Sequence, residues 1–85
     1  MDVDRQLAWD EGLQRIVNAR AVPGRFTAAR TPIPVTARLV WENAGEQLVR
    51  TVATGWTRRV VLVIVDDRRS HVRGVWVPAA DVSRR

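Results

Sequence analysis

The sequence contains no cysteine and no lysine, and its apolar runs are short. Without cysteine, neither a disulfide framework nor a thiolate zinc site can support this small fold, so the core itself has to suffice. No apolar run approaches the ~20 residues that a membrane-spanning helix needs. The first four residues, Met1-Asp2-Val3-Asp4, are acidic where a secretory signal is basic. We therefore predict a cytoplasmic protein that makes no membrane contact.

Signals for catalysis are also scarce. The five glycines are scattered, so the chain offers no glycine-rich loop that would cradle a nucleotide phosphate. The single histidine, His71, follows Ser70 and lies near Asp66 and Asp67, but neighbours along a strand point to opposite faces and do not assemble a triad. One histidine and two consecutive aspartates also lack the ligand count and the spacing of a metal site. We predict a protein that is not an enzyme and that binds no cofactor or metal.

The positive charge is concentrated in the later part of the chain. All 14 basic residues are arginine, and the formal net charge is +5. A GC-rich coding sequence accounts for the lack of lysine, but it does not remove this charge. Residues 1–22 carry three arginines and four acids, whereas residues 23–85 carry eleven arginines and five acids. Because guanidinium groups bind phosphates in a bidentate fashion, the second part is suited to nucleic acid.

The first part of the chain has the apolar spacing of a helix. Asp2 or Asp4 can cap its N-terminus, and Pro23-Gly24 ends the pattern. We predict an α-helix over residues 4–20 whose narrow apolar stripe packs on a sheet or on a partner. The stripe consists of Trp9, Leu13, Ile16 and Val17.

The region after this helix changes from linker to strand. Residues 21–34 hold three of the four prolines and are predicted to form a linker or an extended arm, which Phe26 anchors to the body. Apolar and polar residues then alternate with the two-residue period of a strand. The predicted strands cover residues 34–42, 47–53 with a continuation to Trp56, 59–65 and 71–77, followed by a short strand that begins at Val82.

The first hairpin carries a prediction of register. Asn43-Ala44-Gly45 favours a three-residue loop with glycine in the left-handed region, which sets Glu42 opposite Glu46. Arg38 then lies opposite Arg50, an arrangement that needs an anion or a carboxylate between the two charges. Both faces of this hairpin are partly apolar, which is typical of a sheet that curves onto itself or is covered by a helix.

The end of the chain resembles a known architecture. Pro78 ends the fourth strand, residues 79–81 are predicted to form one tight helical turn, and Val82 begins the last strand. This order resembles the closing segment of SH3-like barrels, including Tudor-type and KOW-type modules. The resemblance covers residues 33–85 and implies a mainly β fold, a small SH3-like antiparallel barrel of four to five strands, here preceded by one N-terminal α-helix.

Length allows one domain and no more. We divide it into residues 1–32, which hold the helix and the proline-containing linker, and residues 33–85, which form the SH3-like β domain. The alternative is an α+β fold in which the helix packs across an open four-stranded antiparallel sheet.

Arginine and tryptophan recur together in the β region. On a small barrel, basic side chains bind a phosphate backbone while an exposed ring stacks on a base. Trp41 and Trp76 occupy apolar-alternating positions and are predicted core residues, whereas Trp56 follows Gly55 and is predicted to be exposed. We predict a module that binds DNA or RNA, with the candidate site Arg50, Trp56, Arg58, Arg59, Arg68, Arg69 and Arg73, to which the Arg84-Arg85 tail adds charge.

A protein-interaction module is the alternative function. It would act through a β edge, an aromatic groove or the N-terminal helix. A homodimer in which the helix or the linker completes a neighbour's core is compatible with either function.

Overall fold

The computed structural model describes residues 12–85 of the chain. These residues form one antiparallel sheet with the strand order β4-β3-β2-β1-β5. The protein is therefore mainly β. The strands are β1 (Thr27–Trp41), β2 (Gly45–Trp56), β3 (Val60–Ile64), β4 (Gly74–Pro78) and β5 (Val82–Arg84), and a single turn of 3₁₀-helix, η1 (Ala79–Asp81), connects β4 to β5.

One face of the sheet, called the inner face below, carries the core. Alternate residues of β1 are buried there, from Val35 to Trp41, as strand periodicity predicts. Val63 of β3 and Val77 of β4 belong to the same cluster. In a flat sheet, β1 and β4 would be separated by three strand spacings, or ~14 Å. Since their side chains form one cluster without a second layer, the sheet is strongly curved.

The sheet does not close into a barrel, so the predicted closed SH3-like barrel is wrong. The edges are β4 and β5, and they are not hydrogen-bonded to each other. Residues 14–20, called the edge segment below, lie between the C-terminal part of β1 and β4. Val17 N donates to Val40 O at 2.6 Å, and Arg20 N donates to Trp76 O at 2.7 Å. This segment occupies the gap that β4 and β5 would have to close in order to pair directly.

The predicted N-terminal α-helix is also wrong in its C-terminal part. Residues 13–20 contain no α-helix, and Ile16 instead forms an isolated β-bridge with Trp41. The predicted start of the helix, with its caps Asp2 and Asp4 and with Trp9, lies outside the described residues. Both predicted folds included a helix that continues to residue 20, and both are corrected by the edge segment, which is not helical and turns at Val17-Asn18.

Asn18 fixes the edge segment to β1. Its side chain is the one buried polar group among the described residues, with 8% of its surface exposed. The Oδ1 atom accepts from Val40 N at 2.9 Å, while Nδ2 donates to Arg38 O at 2.8 Å and to Asp81 Oδ2 at 3.0 Å. Every polar atom of the amide therefore has a partner. In return, the side chain provides hydrogen-bond partners for the N–H of Val40 and the carbonyl of Arg38 on the edge of β1.

The hairpin between β1 and β2 differs from the prediction by two residues. Trp41 pairs with Gly45, whose φ of 80° is left-handed as predicted, so the glycine belongs to the ladder and the loop is Glu42-Asn43-Ala44. Arg38 lies opposite Leu48, and Arg50 lies opposite Thr36, so the predicted pair of facing arginines does not exist. A shift of two residues leaves every side chain on its predicted face.

Candidate nucleic-acid interface

A β-bulge near the end of β2 decides where Trp56 points. The β2–β3 register shifts by one residue between Ala53 and Gly55. Without the shift, Trp56 would lie on the opposite face from Ala53, because side chains alternate along a strand. The bulge instead places Trp56 opposite Val61, whose side chain packs against the core on the inner face.

Gly55 and Phe26 form the outer side of the same bulge. A Cβ on Gly55 would lie 3.0 Å from Phe26 Cδ2, so a larger residue would displace the ring. The ring of Phe26 packs edge-on against Trp76, with centroids 5.0 Å apart and planes at 70°. Phe26 thus anchors the chain just before Thr27, the first residue of β1, which pairs with Trp56.

Trp56 lines an apolar cavity that opens at this end of the inner face. The cavity has a volume of about 240 Å³. Six of its seven lining residues are apolar and the seventh is an arginine, so an apolar group fits inside while an anion is favoured at the rim. The lining residues are Ile33, Val35, Ala53, Trp56, Val61, Val82 and Arg84.

Two further arginines follow Trp56 directly in the chain. Arg58 and Arg59 belong to the turn between β2 and β3, and both are exposed. The hydroxyl of Thr57 accepts from Arg59 N at 3.1 Å, and Arg59 O accepts from Ala79 N at 2.7 Å. These bonds hold the backbone of the turn while leaving both guanidinium groups on the surface.

The beginning of β1 adds two more cations to this end. Arg25 immediately precedes Phe26 and is exposed. The β1–β2 register is interrupted between Ala28 and Ile33, and exposed Arg30 lies in this irregular stretch. We call the following set the basic end: Arg25, Arg30, Arg58, Arg59 and Arg84.

No carboxylate of residues 12–85 forms an ion pair with the basic end. The ion pairs in that range involve Arg38, bound to Glu46 and Asp81, and Arg69, bound to Asp67. The hairpin and loop carboxylates lie beyond the far end of β3, whose five residues span ~17 Å. Within residues 12–85, the guanidinium groups of the basic end are therefore free of ion pairs.

The candidate residues of the sequence analysis do not form one surface. Trp56, Arg58 and Arg59 lie together at the basic end. Arg50 lies in the middle of β2, exposed and opposite Thr36. The remaining three, Arg68, Arg69 and Arg73, lie in the β3–β4 connection at the other end of the sheet.

Arg69 is held by intramolecular contacts. Its guanidinium carbon lies 4.0 Å from the ring centroid of Trp41, a cation–π contact. Its Nη2 donates to Asp67 Oδ2 at 2.7 Å and to Gln47 Oε1 at 2.8 Å, and its Nε donates to Asp67 Oδ1 at 2.9 Å. These hydrogen bonds lower the pKa of Asp67 from 3.8 to about 2. We call this cluster, Trp41, Gln47, Asp67 and Arg69, the paired end.

Two arginines of the basic end, Arg25 and Arg30, are absent from the candidate site of the sequence analysis, and Arg84 was named there only for the charge that the tail adds. Arg84 reaches the cavity because β5 returns to β1 and pairs with Val35, a contact between distant parts of the chain. Arg25 and Arg30 lie in the stretch predicted as a linker, where no periodicity indicated a strand. Their position depends on the packing of Phe26 and on the interrupted β1 register.

Comparison with protein-family models, with curated proteins and with solved structures finds no match to this chain. Within residues 12–85, no helix is long and apolar enough to cross a membrane. The same part of the chain contains no group of three or more histidine, aspartate or glutamate side chains placed to hold a metal ion.

Proposed function

We propose that this protein is a non-catalytic module that binds nucleic acid through its basic end. The observation that carries the proposal is a set of five exposed arginines without an ion-pair partner in residues 12–85, one of which lines an apolar cavity beside a tryptophan. A polyanion that also presents flat apolar groups complements both features.

Electrostatics gives this proposal a measurable signature. Each phosphate that a guanidinium group neutralises releases condensed counterions, so the affinity falls as salt rises. Contact with three to five phosphates gives a slope of log affinity against log salt of roughly −2 to −4.5. Binding of this kind depends little on sequence, because phosphate contacts carry no base information.

A fluorescence anisotropy titration tests the proposal. Labelled DNA and RNA oligomers of mixed sequence are titrated with the full chain at several salt concentrations. We expect Arg58→Gln combined with Arg59→Gln to weaken binding about tenfold at low salt and to reduce the salt slope by about 2.

A matched control separates the site from the overall charge. Arg68→Gln combined with Arg73→Gln also removes two positive charges, but at the opposite end of the sheet. We expect this control to change the affinity less than about threefold. Equal losses in the two double variants would contradict the basic end as the site, and wild-type protein that binds no oligomer at low salt would overturn the proposed function.

A specific groove favours binding of a protein as a second function. A cavity of about 420 Å³ lies between the edge segment and the β3–β4 connection. Val17, Val22 and Val72 line it and are 55%, 73% and 55% exposed, which is unusual for three valines in one groove. Arg15 and Arg20 also line it. The groove therefore suits an acidic segment with apolar side chains from a partner protein.

A peptide library tests this second function. We expect the full chain to enrich peptides that combine carboxylates with apolar residues, and Val22→Thr combined with Val72→Thr to lose most of that enrichment. Enriched peptides that bind the double variant equally well would rule out the groove as their site.

A further inference from the structure

We infer that the cavity beside Trp56 receives one unpaired nucleobase, which makes the protein selective for single strands over duplexes. This inference rests on the proposed function and assigns the ligand chemistry of the same site. The juxtaposition behind it is an apolar cavity with an indole and one arginine, Arg84, in its lining, next to the turn that carries exposed Arg58 and Arg59.

The lining of the cavity suits a flat, weakly polar ring. Trp56 supplies an aromatic wall on which any base can stack, because every base has a π face. Val61 and Val82 supply aliphatic walls on the inner face. Arg84 is the one charged side chain among the lining residues and can donate hydrogen bonds to a base edge or to the adjoining phosphate, and the indole N–H of Trp56 is a second donor. A cavity with a single charged group distinguishes the bases poorly.

The size of the cavity limits the ligand to a small ring system. Pockets for drug-sized molecules run from roughly 300 to 1,000 Å³. At about 240 Å³, this cavity is smaller than that range, and it is partly open on one side. It fits a single base whose sugar and phosphate remain outside, beside the arginines of the basic end.

Base pairing keeps a base out of this cavity. In a duplex both faces of a base are stacked, so it enters only after extrusion, which costs free energy that a single strand does not incur. The arginines that attract phosphates act on both forms. We therefore assign the discrimination between the two forms to the cavity and the salt dependence to the arginines.

The experiment compares an oligothymidine with an abasic oligomer of the same length and backbone charge. We expect the wild-type chain to bind the oligothymidine about tenfold more tightly than the abasic oligomer, and more tightly than a duplex of equal length, since stacking on an aromatic side chain contributes on this scale. Trp56→Leu should abolish this preference while leaving the salt slope unchanged. Trp56→Phe should retain a part of it.

Trp76→Phe is the matched control, since Trp76 packs against Phe26 outside the cavity. It should keep the full preference for bases. Thermal unfolding of each variant shows whether it is folded, and Trp56→Phe serves for the comparison if Trp56→Leu does not fold.

The outcomes separate the two proposals. Equal, salt-dependent binding of the oligothymidine and the abasic oligomer would overturn the inference and leave the proposed function standing. Failure to bind either oligomer would overturn both. A preference for bases that stays undiminished in the folded Trp56 variants would place the base elsewhere and overturn the inference alone.

Discussion

At the paired end, Arg69 lies over Trp41 and donates hydrogen bonds to Asp67 and Gln47. At the basic end, Arg58 and Arg59 occupy a tight turn in which the backbone of Arg59 is bonded to Thr57 and Ala79, and neither guanidinium group forms an ion pair within residues 12–85. Both ends contain arginine next to a tryptophan of the inner face. Within residues 12–85, they differ in whether the arginine forms an ion pair with a carboxylate.

That difference separates stability from binding. A guanidinium group that is bonded and stacked within the fold contributes to the free energy of unfolding and has few donors left for a ligand. A guanidinium group without a partner adds little to stability, and it repels its neighbours until an anion binds. We therefore expect substitutions at the paired end to change unfolding and those at the basic end to change affinity.

The largest expected effect on stability comes from Asn18→Ala, which releases the edge segment beside the paired end. The substitution leaves the partly buried N–H of Val40 and carbonyl of Arg38 without their partners, a loss of about 2 to 3 kcal/mol. Urea unfolding measures it. Asn43→Ala is the control, because Asn43 is exposed in the hairpin loop, and equal effects of the two substitutions would contradict the role of Asn18.

Arg69→Met tests the paired end directly. It removes the cation–π contact and the guanidinium hydrogen bonds to the Asp67 carboxylate, which keeps the bond from the backbone N–H of residue 69, for an expected loss of about 2 kcal/mol. Oligonucleotide affinity should change less than about threefold. Arg59→Met at the basic end should instead weaken oligonucleotide binding and leave the free energy of unfolding nearly unchanged. If Arg69→Met weakened binding as much as Arg59→Met while unfolding was unaffected, the distinction between the two ends would be wrong.

The sheet could be predicted because strand periodicity is local. Alternate apolar residues from Val35 to Trp41 indicated the inner face, and that face is buried. The end of β4 at Pro78 and the turn after it could also be predicted, because proline ends a ladder whatever surrounds it. The register of the β1–β2 hairpin could not be predicted from local pattern alone, since Gly45 can belong either to the loop or to the ladder.

The N-terminal segment shows where local pattern fails. The spacing of Ile16 and Val17 fits a helix, but these residues lie beside two sheet edges whose backbone groups need partners. Asn18 favours the observed turn over a helix because its short amide competes with helical hydrogen bonds and can bond to a neighbouring strand. Tertiary hydrogen bonds thus override a weak helical preference.

The candidate site was only partly predictable for the same reason. Trp56, Arg58 and Arg59 are close in sequence, and the structure keeps them together. Arg69 looked like the other arginines, because nothing in the sequence shows that Gln47 and Trp41 meet it in space. Arg84 joins the cavity only because β5 pairs with β1.

A smaller effect is expected from Asp67→Asn and from acid. The folded-state pKa of Asp67 is lowered to about 2 by hydrogen bonds from Arg69, so the carboxylate stabilises the fold fully above its unfolded pKa near 4 and loses this contribution as the pH falls toward 2. Because the pair is partly exposed, the contribution is about 1 kcal/mol. Asp67→Asn should lose it at pH 7 and show a flatter pH dependence.

Urea unfolding at pH 7, 4 and 2.5 measures this contribution. Asp66→Asn is the matched control, since exposed Asp66 forms no ion pair within residues 12–85, and it should keep the wild-type pH dependence. An Asp67→Asn variant that lost stability between pH 4 and 2.5 as steeply as the wild type would place the acid sensitivity outside the paired end.

The smallest expected effect is the change in the free energy of unfolding of the variant that combines Arg58→Gln with Arg59→Gln. Neither guanidinium group has an ion-pair partner in the part of the chain that the structure describes, so the free energy of unfolding should change by less than about 0.5 kcal/mol. The sign of this change distinguishes charge repulsion from packing. Because the basic end is self-repelling, the variant should be slightly more stable at low salt, and the gain should vanish near 1 M salt as the charges are screened. A loss of stability that persists at high salt would mean that these arginines contribute to packing, and their effect on oligonucleotide affinity would then no longer identify them as binding groups.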